Sequence, residues 1–201
     1  MKIAIVCHSE SGNTQQMADL VREGCLKVKG IEARCMPVDA VDEASVAGSA
    51  AVILGWPTYE GSCSWQMKEY LDTGPDGLSG KLGGVFVSQN WPGGGGGSLA
   101  QMTITAGMLV LGMIVYSGGI SISVPYLHFG AVSRKALTED LYRDRCLKLG
   151  ETIARKAVEL PGNAWKPPPG RLPVEEPPQR LEVPLGRELE EAPPAGGRNP
   201  G

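Results

Sequence analysis

Five short strand-like runs, at residues 2–7, 32–38, 50–55, 82–88 and 113–116, alternate with helical patterns through the first 160 residues. The helical patterns fall at about 13–29, 42–46, 64–71, 98–111 and 138–160. Strands separated one by one by helices, with short connections, form a parallel sheet whose two faces are covered by the crossover helices. Such crossovers are right-handed, so the sheet winds in two directions, and ligands collect at the carboxyl ends of the strands where the winding reverses. The chain is therefore expected to be an α/β protein with a doubly wound parallel sheet of five strands. Met17, Leu20, Val21 and Cys25 recur at helical spacing, as do Leu141, Cys146, Leu149, Ile153 and Val158, and both stripes are expected in the core. Gly30 stands where a helix C-cap belongs, and Thr138-Glu139-Asp140 is an acidic helix start.

Beyond residue 160 the composition changes. Eleven of the sixteen prolines lie in residues 161–201, in runs that can continue neither a helix nor a central strand. Two regions are expected: a domain over 1–160 and a proline-rich tail over 161–201 that is disordered or polyproline-like. The tail is either a solvated extension or a strap held by Trp165, Leu172, Val174, Leu181, Val183 and Leu185. Between Lys81 and Arg134 no residue carries a formal charge, and residues 102–116 are largely apolar. A membrane span needs roughly twenty unbroken apolar residues. This stretch is interrupted by Gly107, Gly112, Ser117, Gly118, Gly119 and Pro125, so a buried helix and a buried strand are expected, with no membrane span.

A formal net charge of −3 with scattered Lys and Arg argues against nucleic acid as a partner. Cys7, Cys25, Cys35, Cys63 and Cys146 form no C-x-x-C pair, so neither a metal site nor a disulfide framework is expected. A reducing, cytoplasmic setting suits such thiols. Met1-Lys2 leads directly into a strand-like run without a secretory signal pattern.

The segment His8-Ser9-Glu10-Ser11-Gly12-Asn13-Thr14 joins the first apolar run to the first helical pattern. Gly12 lets the backbone approach an anion, and Ser9, Ser11 and Thr14 add hydroxyl donors. The following helix offers free N–H groups and the positive end of its dipole. The same residue types also serve as ordinary helix caps and turns. Neither the Gly-Lys-Ser/Thr ending of a P-loop nor the G-x-G-x-x-G of a dinucleotide fold is present. Ser9-x-Ser11-Gly12-Asn13-Thr14 after a first strand resembles the phosphate loop of flavodoxins and of the flavodoxin-like quinone reductases, the WrbA family. The resemblance implies the flavodoxin-like strand order 2-1-3-4-5, with the switch point beside the first strand. It also implies FMN, its 5′-phosphate held by Ser9, Ser11, Gly12, Asn13 and Thr14 without any Arg or Lys.

Two further loops carry the resemblance. Pro57-Thr58-x-x-Gly61 matches the turn that gives the family's backbone and aromatic contacts to the flavin ring, which implies Pro57, Thr58, Tyr59 and Gly61 at that ring. Gln66-Met67-Lys68-x-x-Leu71-Asp72 resembles the helix that follows. The family carries Arg and an aromatic where this chain has Tyr59 and Glu60. After the fourth run come Ser88-Gln89-Asn90-Trp91-Pro92 and the glycines Gly93 to Gly97, where a floppy linker inside a compact domain would be out of place. The family's Ser/Thr- and Gly-rich loop at this point implies Ser88, Asn90, Trp91 and Gly93 along the flavin edge, although Trp91-Pro92 and the glycine run depart from its usual sequence.

Phe129-Gly130-Ala131 resembles the family's aromatic-Gly-Ala. That places His128 as a candidate catalytic residue, able to stabilise reduced flavin or protonate a quinone, or equally as an ordinary loop residue. Asp39 after the second run is expected to be solvated, and the glutamate pairs of the tail have no catalytic role. The resemblance spans about residues 1–160 and implies an FMN-dependent enzyme that passes two electrons from NAD(P)H to a quinone-like small acceptor, as a homo-oligomer. The flavin carries the hydride, so no acid–base pair is required. The alternative is a flavodoxin-type electron carrier docking on redox proteins, a class that is typically more acidic than −3, and a third is a flavin-free scaffold that binds through its tail.

Overall fold

The computed structural model describes residues 1–73, 75, 77–91, 95–134 and 140–160. The expected tail at 161–201, and the helix start at Thr138, lie outside the described residues. Strand β1 (Lys2–Cys7) runs between β2 (Glu32–Pro37) and β3 (Ala51–Pro57), and β4 (Leu82–Gln89) lies on the far side of β3. The last position is shared by two short pieces: β5 (Ile114–Val115) pairs with Leu82-Gly83, and β6 (Ala131–Arg134) pairs with Phe86 to Gln89. Every pairing is parallel, and the order is 2-1-3-4-5.

The divided edge corrects the expectation of one strand at 113–116 followed by a loop that includes Ala131. Gly118 and Gly119 take φ of +79° and +52°, conformations that no extended strand contains. Residues 117–130 therefore leave the sheet, and the edge resumes only at Ala131.

Alternation along β1 sorts the core into two layers. Ile3, Ile5 and Cys7 pack with helices α1 (Asn13–Leu26) and α5 (Asp140–Glu159). Ala4 and Val6 pack on the other face with α2 (Glu43–Ala47), α3 (Trp65–Asp72) and α4 (Gly97–Val110). Helices α1 and α5 meet backbone to backbone: a Cβ at Gly24 would strike the Leu147 carbonyl, and one at Gly150 the Val21 carbonyl. The helix carrying the Ser9–Thr14 loop is thus braced along its length.

Three expectations about packing are corrected. Leu141 and Val158 are exposed rather than in the core, because at 100° per residue they lie roughly 120–140° around the helix from Cys146. Helix α1 stops at Leu26, where Lys27 and Val28 donate to the carbonyls of Gly24 and Cys25 in a tightened last turn ahead of Gly30. Residues 102–116 are not uniformly buried, since α4 exposes Met102, Leu109 and Val110, and β5 exposes Ile114. No described helix is long and apolar enough to cross a membrane.

Candidate functional site

Three loops meet at the carboxyl ends of β1, β3 and β4. In the first, Gly12 is the N-cap of α1 at φ +83°, a left-handed conformation; a Cβ there would meet nothing, so it is the backbone angle that asks for glycine. No side chain of the N-cap residue closes the helix end. Ser9 takes that part, its Oγ accepting from the Gln15 N–H at 3.2 Å. The Asn13 amide donates to Ser11 Oγ at 2.9 Å. The N–H groups of Ser11, Gly12 and Thr14 have no acceptor among the described residues. Free amides at the N-terminus of a 14-residue helix form an anion cradle. Thr14 itself is buried beneath the loop, its Oγ1 2.9 Å from Ser88 Oγ at the end of β4.

In the second loop, Thr58 N–H donates to the Ser88 carbonyl at 2.8 Å, and Tyr59 and Ser62 exchange backbone hydrogen bonds across a tight turn. Glu60 and Gly61 both take positive φ, +48° and +72°. Two such residues in succession make a tight turn that presents Tyr59 on one side. Burial first, and the Glu10 carboxylate second, raise the pKa of the Tyr59 phenol. Thr58 Oγ1 is buried without a partner among the described residues.

In the third loop, Gln89 Oε1 accepts from Gly97 N–H at 3.0 Å and so ties the end of β4 to the first turn of α4. A Cβ at Gly96 would fall 2.7 Å from Gly61 Cα, so the second and third loops pack backbone against backbone. Between the three loops lies a cleft of about 620 Å³, within the size range of small-molecule sites. Ser11 and Asn13 line it beside the cradle, with Pro57, Thr58, Tyr59, Glu60 and Gly61 from the second loop and Ser88, Gln89, Asn90 and Trp91 from the third. Among the described residues no Lys or Arg lines it.

The structure brings most of the sequence-derived candidates together: Ser11, Asn13, Pro57, Thr58, Tyr59, Gly61, Ser88, Asn90 and Trp91 line the cleft, with Ser9, Gly12 and Thr14 in the loop that closes its end. Gly93 lies outside the described residues. His128 is exposed, at φ +52°, and lines a neighbouring hollow of about 540 Å³ with Phe129, Gln101 and Arg145 rather than the cleft itself. Gln89, Glu60, Gly95 and Gly96 also line the cleft and had not been singled out. His8, quoted in the first loop but given no role, is buried with Nδ1 unpartnered; burial lowers its pKa against the opposing pull of Glu10. Burial pushes the thiols of Cys7, Cys25 and Cys146 up to about 12. These are core residues, not nucleophiles.

No protein-family model matches the sequence. A flavodoxin of Clostridium saccharobutylicum is 37% identical over 162 residues, covering 80% of this chain and 99% of the relative. An NAD(P)H dehydrogenase (quinone) of Geobacter metallireducens is 31% identical over 169 residues, 69% of this chain and 79% of the relative. Among solved structures, a flavodoxin, WrbA-like protein from Agrobacterium tumefaciens aligns with a TM-score of 0.63 at 22% identity, over 79% of this chain and 98% of that one, a likeness of fold. The chain belongs to the flavodoxin-like family.

Proposed function

We propose that the cleft binds FMN and that the protein is an electron carrier of the flavodoxin kind. The observation that carries this reading is the character of the cleft: an amide cradle at one end with no lining Lys or Arg among the described residues, and two aromatic side chains, Tyr59 and Trp91, in its lining. The cradle suits a phosphate, for which the amides of Ser11, Gly12 and Thr14 and the Ser11 hydroxyl supply donors. The two aromatics suit a planar ring, and the orphaned Thr58 Oγ1 gives a polar ring edge a partner. FMN supplies reversible uptake of two electrons when bound. The chain's residues would hold and orient the group, with Tyr59 and Trp91 available to its ring. The carrier reading is supported by the 37% identity to the flavodoxin of Clostridium saccharobutylicum, which the chain covers over 99% of its length.

The second reading is NAD(P)H-dependent reduction of a quinone-like acceptor. It is favoured by the similarity to the Geobacter metallireducens relative and by the hollow beside the cleft, where His128 and Phe129 leave room for a small acceptor. Two measurements test the proposals. The protein reconstituted with FMN should retain it at one per chain, and Ser11→Glu should release it. A carboxylate ~5 Å from the phosphate costs about 3 kcal/mol per phosphate charge at an effective dielectric near 20, a loss of more than ~100-fold in affinity. Unchanged binding in the variant would mean that the loop only caps its helix. In the loaded protein, the carrier reading expects the two electrons to enter at separate potentials, with NAD(P)H oxidised no faster than by free FMN. Rapid NAD(P)H oxidation with a small quinone would establish the enzyme instead.

A further inference from the structure

The hollow of about 540 Å³ beside the cleft lies between the start of α4, residues 126–130 and α5. Gln89, Gly95 and Gly96 line both spaces, so a molecule in the hollow is the neighbour of whatever the cleft holds. The hollow is aromatic at Tyr126, Phe129 and Tyr142, and among the described residues no Asp or Glu lines it. The one formal charge in that lining is Arg145.

Arg145 stands apart from its neighbours on the helix. Along α5, Arg155 pairs with Glu151 at 2.6 Å and Lys156 with Glu159 at 2.5 Å. Arg145 instead has Leu141, Tyr142, Lys148 and Leu149 at the three- and four-residue spacings where a helix places ion-pair partners. It has no ion pair among the described residues, and its Nε is buried without a hydrogen-bond partner. A guanidinium does not shed its charge, so the unmet donor is a standing cost that a bound anion relieves.

A second source of positive potential meets the same space. Gly97, Ser98 and Leu99, the first turn of α4, line the hollow. Gly97 N–H is taken by Gln89, while the amides of Ser98 and Leu99 have no acceptor among the described residues. The N-terminal end of a 14-residue helix favours negative charge, and here it acts beside the guanidinium.

We propose that the hollow binds a small aromatic carboxylate, its ring against Tyr126, Phe129 and Tyr142 and its carboxylate on Arg145. The fork of guanidinium N–H groups matches the two carboxylate oxygens. A bare inorganic anion would leave the aromatic lining unused, and the volume suits a small organic molecule. The site is independent of what the cleft binds. Joined to the second reading of the cleft, on which this one extension rests, it gives the acceptor a class: a quinone that carries a carboxylate.

Isothermal titration calorimetry of the full chain, with the cleft saturated by FMN and in parallel without it, compares 2-naphthoate with 2-naphthamide, a neutral probe of nearly the same shape. Naphthoate should bind roughly 10- to 100-fold more tightly, the worth of charge-assisted hydrogen bonds. Arg145→Gln should bring naphthoate down to the naphthamide value while naphthamide binds as before, which also reports a folded variant. Arg145→Lys, which keeps the charge but not the fork, should fall between. Equal affinity of the two probes for the wild type would overturn the proposal without recourse to any variant. A preference that survives Arg145→Gln would overturn it by seating the anion elsewhere, and one that FMN abolishes would do so by seating it in the Ser9–Thr14 cradle. Failure to retain FMN would bear on the proposed function alone, since the FMN-free titration reads the hollow by itself.

Discussion

The hydroxyl pair of Thr14 and Ser88 ties the first turn of α1 to the end of β4, and so joins the anion cradle to the wall that carries Trp91. Thr14 is 1% exposed and Ser88 7%, with 2.9 Å between their oxygens. Thr14→Val keeps the volume and the β-branching but removes the hydroxyl. The variant loses a hydrogen bond and leaves Ser88 without its partner, which together cost about 1–3 kcal/mol for a buried group. Ser88 also lines the cleft, where water can partly replace the lost partner, so the lower half of that range, ~1–2 kcal/mol, is expected. Ser88→Ala strands Thr14 in the same way and at similar cost. The double variant strands nothing and forfeits only the net worth of one hydrogen bond, ~1 kcal/mol. The single losses therefore sum to about 2–4 kcal/mol while the double variant loses about 1, a coupling of ~1–3 kcal/mol. Urea unfolding of the four proteins without FMN measures the cycle, and FMN titration of the same set should show weaker binding in both single variants. Losses that add to within ~0.5 kcal/mol would refute the reasoning, because residues that do not share an interaction behave additively.

The strand order and the three loops were legible because each rests on a local demand. Unbroken apolar runs at 3–7, 50–55 and 82–88 mark strands buried on both faces. The Ser9–Thr14 loop stands out because a strand end, a φ-positive glycine and a helix start coincide there. The edge was not legible: a two-residue strand such as β5 has no period, and four residues of β6 reach the sheet only after 117–130 have left it. That excursion also carries His128 past the cleft into the adjoining hollow. Gln89 was missed because its bond to Gly97 spans a glycine run, and nothing local distinguishes it from a solvent-facing glutamine. The outer face of α4 misled for a different reason. An uncharged apolar segment reads as interior, and the chain's own fold covers only half of it.

Three further predictions follow from packing, burial and the aromatic walls. Gly150→Ala should cost about 1–3 kcal/mol, because the added Cβ strikes the Val21 carbonyl and comes within 2.8 Å of Cys25 N, backbone atoms that cannot swing aside; a urea midpoint equal to wild type would show that α1 and α5 are not in that contact. His8 is buried and holds its proton less readily than the unfolded chain, so between about pH 6.5 and the lowered native value the unfolded state binds more protons, and stability should fall as pH drops through that window. His8→Gln should flatten the slope between pH ~7 and ~5, and identical slopes in the two proteins would remove His8 as its source. Trp91→Leu separates carrier from enzyme at the ring itself. Trp91 is 71% exposed on the cleft wall, and stacking of this kind is worth about 1–3 kcal/mol, so FMN affinity should fall by roughly 5- to 150-fold on that principle. If Trp91 also closes one face to nicotinamide, the FMN-saturated variant should oxidise NAD(P)H faster than wild type, because the hydride acceptor is then uncovered. Equal affinity together with equal oxidation rate would mean that Trp91 lies off the ring.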